Sequence, residues 1–257
     1  MGQGPVFGGV GVALVTLFRD DGDLDAPATG DLAARLVELG VKAIIVAGTT
    51  GEAAALDPQE RAELLAAVRK AVPGRGGVPV IAGTGAPSAR QAARLTATAR
   101  DMGADAVITL SPPRTTDVRR YYETVTMAAA GLPVLAYHYP QVSPPGIPVE
   151  ALKDLDVAGL KDSSGDAGRL LATLRSWDRP VYSGSTALMT LAGSVGCAGV
   201  ILALANAEPE ACSAAFAGDV TAQLEMVKHR AAEARFPSGI KELVAARFGC
   251  SATTRLG

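Results

Sequence analysis

The stretch LVELGVKAIIV, residues 36–46, has a layout that recurs along the chain and decides the fold. It reads as the end of a helix, a glycine, two further residues and a β-branched apolar run. TARDMGADAVIT (98–109) and AGSVGCAGVIL (192–202) repeat this layout. Glycine is the usual residue where a helix ends in a left-handed conformation, and a run that is apolar on both faces is typical of a buried parallel strand. The repeat therefore predicts helices that alternate with parallel strands.

Apolar runs of this kind occur eight times, with helical patterns between them. The predicted strands are Val10–Thr16, Ala43–Val46, Val78–Ala82, Ala106–Leu110, Val134–Tyr137, Val157–Leu160, Val181–Ser183 and Gly199–Leu204. Two helix starts carry capping-box patterns, Asp57-Pro58-Gln59-Glu60 and Ser88-Ala89-Arg90-Gln91. Eight β/α units predict the α/β class and a (β/α)8 TIM barrel. An open doubly wound sheet is the alternative.

The length of the chain is sufficient for one barrel and leaves too few residues for a second domain. The 257 residues fall in the range usual for this architecture. Residues 1–207 are predicted to form the barrel, and residues 208–257 a short helical C-terminal extension packed on it as part of one structural unit. No internal linker is evident in the sequence.

Composition excludes several classes of function. The formal net charge of −2 and the isoelectric point near 5.8 argue against nucleic acid as a partner. Three cysteines without paired spacing and two histidines give no metal or redox site. The apolar run Val195–Ala205 is too short to span a membrane, and Met1–Val12 lacks a signal-peptide pattern. We expect a soluble cytoplasmic protein without a cofactor, a metal or a membrane partner.

The segment AGLKDSSGD, residues 158–166, places a lysine at the end of a predicted strand. The C-terminal ends of barrel strands carry the chemistry of this fold. Lys161 alone among the six lysines ends a strand. An amine walled by apolar residues has a lowered pKa, and the neutral amine attacks carbonyl carbons to form Schiff bases. The alternative is a lysine paired with Asp162 or another carboxylate.

Two further strand ends carry polar groups. After strand two, AGTTGEAAALD (47–57) places Thr49 and Thr50 between glycines before a helix. Such a turn presents N–H groups and hydroxyls to a small carboxylate, although an ordinary connecting loop has the same composition. Tyr137 ends strand five, next to strand six in a barrel, where its phenol would reach the Lys161 amine and carry protons. The alternative for Tyr137 is a packing residue at the barrel rim.

Taken together, GTTGE (48–52), YHYP (137–140) and GLKDSSGD (159–166) resemble the N-acetylneuraminate lyase / dihydrodipicolinate synthase family. ALVTLF (13–18), SGST (183–186) and GVILALAN (199–206) extend the resemblance over nearly the whole chain. It implies a class I aldolase barrel, homotetrameric or dimeric, whose lysine forms a Schiff base with pyruvate. The partner substrate is an aldehyde.

The resemblance also implies residue roles. Lys161, Tyr137 and Thr49 would be catalytic, and Thr50 would hold the pyruvate carboxylate. Further substrate contacts fall on residues of the same motifs: Gly48, His138, Gly184, Ser185 and Ile201.

The sequence departs from the synthase type at two positions. Ser111-Pro112-Pro113-Arg114 follows strand four, where the synthase has a tyrosine that enters a neighbouring subunit, and Val142 stands where the synthase has an arginine. Tyr121 and Tyr122 lie in a helix and are poor replacements. We therefore predict cleavage or synthesis of a 2-keto-3-deoxy sugar acid, with 4-hydroxy-tetrahydrodipicolinate synthase, a 2-oxo acid dehydratase and a catalytically impaired 2-oxo acid-binding homologue as alternatives.

Overall fold

Eight parallel strands form a closed barrel in sequence order in the computed structural model, which describes residues 4–72, 77–115 and 117–256. The strands are β1 (Gly9–Ala13), β2 (Ala43–Val46), β3 (Val80–Gly83), β4 (Ala106–Leu110), β5 (Val134–His138), β6 (Gly159–Asp162), β7 (Val181–Ser183) and β8 (Gly199–Leu202). β1 pairs with both β2 and β8. This closure confirms the TIM barrel and excludes the open sheet. Residues 1–3 of the segment examined for a signal peptide lie outside the described residues.

Helices surround the barrel and continue past its last strand. They are α1 (Ala26–Glu38), α2 (Pro58–Ala71), α3 (Ala89–Asp101), α4 (Val118–Ala129), α5 (Ala167–Ser176), α6 (Met189–Ser194), α7 (Pro209–Phe216), α8 (Val220–Glu225), α9 (Arg230–Ala234) and α10 (Ser238–Phe248). A 3₁₀ turn, Val149–Asp154, connects β5 to β6. Because α7 follows β8 and contacts β1, it occupies the place of the eighth barrel helix. The boundary between residues 207 and 208 remains a prediction.

Sequence signals at the helix starts act as their chemistry predicts. Asp57 accepts from the Glu60 N–H at 2.8 Å, and the Glu60 carboxylate accepts from the Asp57 N–H at 3.0 Å, which completes the capping box. Ser88 also caps α3, but the Gln91 side chain bonds the Ser88 hydroxyl instead of its backbone N–H. The second capping box is therefore only half formed.

Strand six differs from its prediction. It runs from Gly159 to Asp162 instead of ending at Leu160. Lys161 pairs with Tyr137 and Tyr182, so the ladder continues through the lysine on both sides. The charge of Asp162 does not end the strand because Arg169 of α5 binds it. Strand eight in turn ends at Leu202, since a 3₁₀ turn takes up Leu204–Asn206.

The core has two layers. The barrel interior is filled by alternate strand residues, among them Ala13, Ile45, Ile108, Leu135, Tyr182 and Ile201. A larger layer between strands and helices consists mostly of Val, Leu and Ala. Side chains that alternate along each strand thus point either into the barrel or toward the helices, and this alternation decides which residues reach the barrel mouth.

Candidate active site

Lys161 is buried at the C-terminal end of β6. Its Nζ lies 4.4 Å from the centre of the Tyr137 ring. Burial lowers the pKa of Lys161 to about 7, because a low-dielectric environment disfavours the ammonium form. A substantial fraction of the amine is then neutral near pH 7.

Asp162 is not the partner of Lys161. Its carboxylate accepts from the Arg169 guanidinium at 2.8 Å and from the Ser164 N–H at 2.8 Å. Successive strand residues point to opposite faces, so Lys161 faces the barrel interior and Asp162 faces α5. Within the described part of the chain, no carboxylate forms an ion pair with Lys161. The structure therefore disfavours the alternative in which Lys161 is paired with Asp162 or another carboxylate.

Tyr137 brings three strand ends together. Its hydroxyl is hydrogen-bonded to the side chains of Thr49, which follows β2, and of Ser163, which follows β6. Burial raises the pKa of Tyr137, and the two hydrogen bonds oppose that rise. Two of the three predicted catalytic residues, Tyr137 and Thr49, thus contact each other, with the Lys161 amine over the Tyr137 ring.

Ser163 is part of this cluster, and the sequence reading missed it. It directly follows the last residue of β6, and its side chain lies beside that of Lys161. A side-chain carbon at Gly184 would clash with Ser163 Oγ and press on Lys161 Cε. Gly184 thus leaves the space that Ser163 and Lys161 occupy.

Predicted carboxylate-binding residues lie in a tight turn, here called the β2 loop (Ala47–Glu52). The Glu52 N–H donates to Thr49 O at 3.0 Å, and the Ala53 N–H donates to Gly48 O at 3.2 Å. Among the hydrogen bonds of the described residues, none uses the N–H groups of Thr49, Thr50 or Gly51 as donors. Gly48, Thr49 and Thr50 are partly exposed. A turn with free N–H groups and two hydroxyls can bind a small anion.

His138 points away from the Lys161 face. Its Nδ1 accepts from the Ile147 N–H at 2.9 Å. The pKa of His138 is lowered to about 4, mainly by burial and also by the positive charge of Arg169, while Asp162 opposes the shift. The imidazole is therefore neutral near pH 7. Its hydrogen bond with Ile147 holds the loop after β5, and Arg169 holds the same residue by donating to Ile147 O at 2.6 Å. The His138 side chain thus binds the loop after β5 instead of facing the Lys161 amine.

The other two predicted contacts, Ile201 and Ser185, lie in different parts of the barrel. Ile201 is fully buried and faces the barrel interior. Ser185 is partly exposed in the loop after β7, and its N–H donates to Ser183 Oγ at 3.3 Å. Ile201 thus belongs to the interior layer, and Ser185 to the barrel mouth.

The loops after β4 and β5 are joined. Ser143 Oγ donates to Ser111 O at 2.5 Å, and the Arg114 N–H donates to Pro144 O at 2.7 Å. Arg114 is exposed and has a left-handed backbone with φ 63°. Tyr121 and Tyr122 are buried, and their hydroxyls donate to backbone carbonyls of Leu110 and Thr109. Both tyrosines are structural, as their helical position predicted.

Tyr139 and Glu233 add a polar edge to the barrel mouth. The Tyr139 ring stacks on Tyr137 with ring centres 5.9 Å apart. Thr186 Oγ1 donates to Glu233 Oε1 at 2.5 Å, and burial raises the pKa of Glu233. The negative charge of Glu233 contributes to a raised pKa of Tyr139, after burial and Tyr137. The sequence reading missed Glu233 because it lies in the C-terminal helices, far from any strand end.

The described residues show neither a metal-binding cluster nor a membrane-spanning helix. Residues 4–72, 77–115 and 117–256 contain no group of three or more His, Cys, Asp or Glu placed to hold a metal ion. Over the same ranges, none of the helices combines the length and apolar character needed to cross a bilayer.

Comparison with known proteins gives a consistent result. Residues 6–252 match the model of the dihydrodipicolinate synthetase family. A DapA-like lyase of Halobacterium salinarum is 38% identical over 79% of this chain and 68% of its own length. A 4-hydroxy-tetrahydrodipicolinate synthase of Pseudomonas aeruginosa is 36% identical over 82% of this chain and 76% of its own length. The crystal structure of KD(P)GA from T. tenax superposes with a TM-score of 0.85 and 28% identity, covering 95% of this chain and 89% of that one.

Proposed function

The chain belongs to the dihydrodipicolinate synthetase family and is a lyase, and we propose that it is a class I aldolase in which Lys161 forms a Schiff base with pyruvate. One observation carries this proposal. Lys161 is a buried amine with a pKa of about 7, beside a tyrosine that is hydrogen-bonded to Thr49. An amine of this kind is a nucleophile toward carbonyl carbons at neutral pH.

The proposed reaction begins with attack of Lys161 Nζ on C2 of pyruvate. The carbinolamine oxygen takes up a proton by way of Tyr137 and leaves as water, which produces a protonated imine. The Tyr137 phenolate left by this step takes up a C3 proton, which restores the phenol and gives an enamine, and the enamine forms a carbon–carbon bond to the aldehyde. The aldehyde oxygen takes a proton back from Tyr137, and water hydrolyses the imine. Cleavage is the same sequence in reverse.

Thr49 and Thr50 take different parts in the proposal. Thr49 exchanges protons with Tyr137, to which it is hydrogen-bonded. Thr50 and the N–H groups of the β2 loop hold the pyruvate carboxylate. Gly184 leaves room beside Lys161, and Ile201 closes the pocket from the barrel interior.

For the aldehyde we propose a hydroxyl-bearing substrate, so that the product is a 2-keto-3-deoxy sugar acid. The pocket edge offers Ser185, Tyr139 and Glu233, and Val142 is exposed near it without an ionic group. A carboxylate at Glu233 repels an anionic aldehyde and accepts hydrogen bonds from hydroxyl groups.

A second candidate is 4-hydroxy-tetrahydrodipicolinate synthase, which the name of the Pseudomonas aeruginosa relative favours. The two candidates are separated by kcat/KM for pyruvate with glyceraldehyde against kcat/KM for pyruvate with aspartate semialdehyde. A preference for the semialdehyde that Arg114→Ala removes, and that Arg120→Ala on the neighbouring helix does not, would favour the synthase. Imine formation without turnover of either aldehyde would favour a dehydratase or a binding protein.

Assembly into a homo-oligomer, either a tetramer or a dimer, is also a proposal and rests on the family. Sedimentation equilibrium of the purified chain measures it directly, and a monomer mass at all concentrations would contradict it.

A further inference from the structure

We propose that the C-terminal tail (Ser251–Leu256) is a clasp that holds the β2 loop in the shape that binds the substrate carboxylate. Glu52, Lys241 and Arg255 are then positioning residues for that subsite. This inference rests on the proposed function, because it assigns the β2 loop to the carboxylate of pyruvate.

Glu52 is the point of contact between loop and tail. It is fully buried and directly follows Thr49, Thr50 and Gly51. Its Oε2 accepts from the N–H groups of Arg255 and Leu256, both at 2.8 Å. Carboxylate–amide hydrogen bonds of this kind are strong. The residue that ends the loop is thereby attached to the last described residues of the chain.

Lys241 of α10 is the ionic partner of Glu52. Its Nζ lies 2.5 Å from Glu52 Oε1 and donates to Thr253 O at 2.6 Å, with its side chain inaccessible to solvent. The same ammonium lies 4.2 Å from the centre of the Phe18 ring. A buried ion pair requires well-placed partners to offset desolvation, so the tail and the loop depend on each other's position.

Arg255 anchors the tail to the start of α2 and to the loop after β1. It forms two hydrogen bonds with the Glu60 carboxylate, at 2.7 and 2.9 Å. It also donates to Gly22 O at 2.7 Å and to Ala55 O at 3.0 Å. The guanidinium lies 4.4 Å from the centre of the Phe18 ring, so this ring contacts both cations.

Backbone conformation explains why the β2 loop needs such a clasp. Ala47 has φ 50° and Glu52 has φ 54°, a left-handed conformation that residues with a side chain rarely adopt. Conformations of this kind persist only where surrounding contacts impose them. On the inner side, Thr16 Oγ1 donates to Gly51 O at 2.7 Å; on the outer side, the contacts to Glu52 come from Lys241 and the tail. Without the tail, Thr50 and the loop N–H groups would lose their common orientation.

The test uses two altered proteins, Arg255→Ala and a chain that stops after Ser251. Both are compared with the control variant Arg235→Ala. Arg235 lies in the same C-terminal region and forms an exposed ion pair with Glu242, so it is a matched control. We expect Arg255→Ala to raise KM for pyruvate about tenfold, the scale on which a lost charge-assisted hydrogen-bond network weakens binding. KM for the aldehyde should stay within a few-fold, kcat should fall because Thr49 lies in the same loop, and Arg255→Lys should recover part of both losses.

Hydrogen exchange supplies a readout that does not depend on activity. We expect faster amide exchange in the peptide that contains residues 48–53 of the variants, with unchanged exchange in β3 and β4. If unaltered exchange in this peptide accompanies a wild-type KM for pyruvate, the clasp proposal is wrong. A fall in apparent kcat in proportion to lost folded protein, with both KM values unchanged, would also overturn it. Failure of the wild-type chain to trap pyruvate would overturn the proposed function and the clasp together, whereas trapping in the wild type with no effect of the variants would overturn the clasp alone.

Discussion

Burial of the Lys161 amine makes imine formation depend on pH in the neutral range. Its pKa is lowered to about 7 from the 10.5 of an ordinary lysine. Since only the neutral amine attacks, the rate of pyruvate trapping at limiting pyruvate should rise about tenfold per pH unit below 7 and level off above it. The unfolded chain keeps this proton up to about pH 10.5, so between these two values unfolding takes up a proton and stability rises with pH. Rapid-quench borohydride trapping from pH 5 to 9 measures the first effect, and a rate that climbs steadily to pH 9 would contradict it.

Removal of the Tyr137 hydroxyl should lower the catalytic rate without unfolding the protein. The Tyr137→Phe variant removes the hydroxyl that is hydrogen-bonded to Thr49 and Ser163, and we expect a rate loss of roughly 10²- to 10⁴-fold. Tyr121→Phe is the matched control, because Tyr121 is buried and its hydroxyl donates to backbone carbonyls only. Its rate should stay within a few-fold of wild type. Equal rates for Tyr137→Phe and wild type would show that the Tyr137 hydroxyl is structural.

Residues at strand ends could be predicted from the sequence, and residues brought in by tertiary contacts could not. Lys161, Tyr137 and Thr49 follow from strand positions and from the order of strands in a barrel. Glu233 reaches Thr186 across 47 residues, and no local pattern marks it. His138 was placed by motif alone, whereas side-chain alternation in β5 turns its ring outward against Ile147.

At the level of elements, α5 should hold β6 through Arg169. The Arg169–Asp162 pair is largely buried, and Arg169 also donates to Ile147 O. Removal of one partner leaves an uncompensated charge, so Arg169→Ala should lower the free energy of unfolding by about 3 kcal/mol. Arg119→Ala, which breaks an exposed pair with Glu123, should cost far less, because solvent screens an exposed ion pair. Urea unfolding of both variants measures the difference, and equal losses would contradict this role of α5.

Element order was predictable because each helix end and each strand start carries a local signal. The apolar runs located all eight strands, three of them after a helix-ending glycine, and Asp57 to Glu60 located the start of α2. The end of β6 was not fully predictable, since Asp162 begins a polar run that is typical of a loop. Its pairing with His138 depends on neighbours that only the closed barrel supplies.

On the scale of the whole molecule, the pocket edge should set the choice of aldehyde. Glu233→Gln removes a negative charge near Tyr139. We expect the variant to gain on aspartate semialdehyde relative to glyceraldehyde by about threefold to tenfold in kcat/KM, because a like charge is removed. Glu225→Gln on the exposed part of the same segment is the control. An unchanged ratio would place Glu233 outside the pocket.

The contact between the C-terminal tail and the β2 loop lay beyond the reach of the sequence. Glu52 and the Arg255 N–H are separated by 203 residues, and Lys241 carries no strand-end signal. The sequence motif predicts only that Glu52 lies in a loop. The structure shows that its side chain points inward and contacts the C-terminal tail.

The central claim is that Lys161 forms an imine with pyruvate, and one measurement tests it most directly. The wild-type chain is incubated with saturating pyruvate, reduced with borohydride, digested and analysed by mass spectrometry. We predict that the reduced pyruvate adduct is found on the peptide that contains Lys161 and is absent from the peptide that contains Lys241, whose amine is buried but bound to Glu52. A Lys161 peptide that remains unmodified, or an adduct distributed over other lysines, would contradict the account.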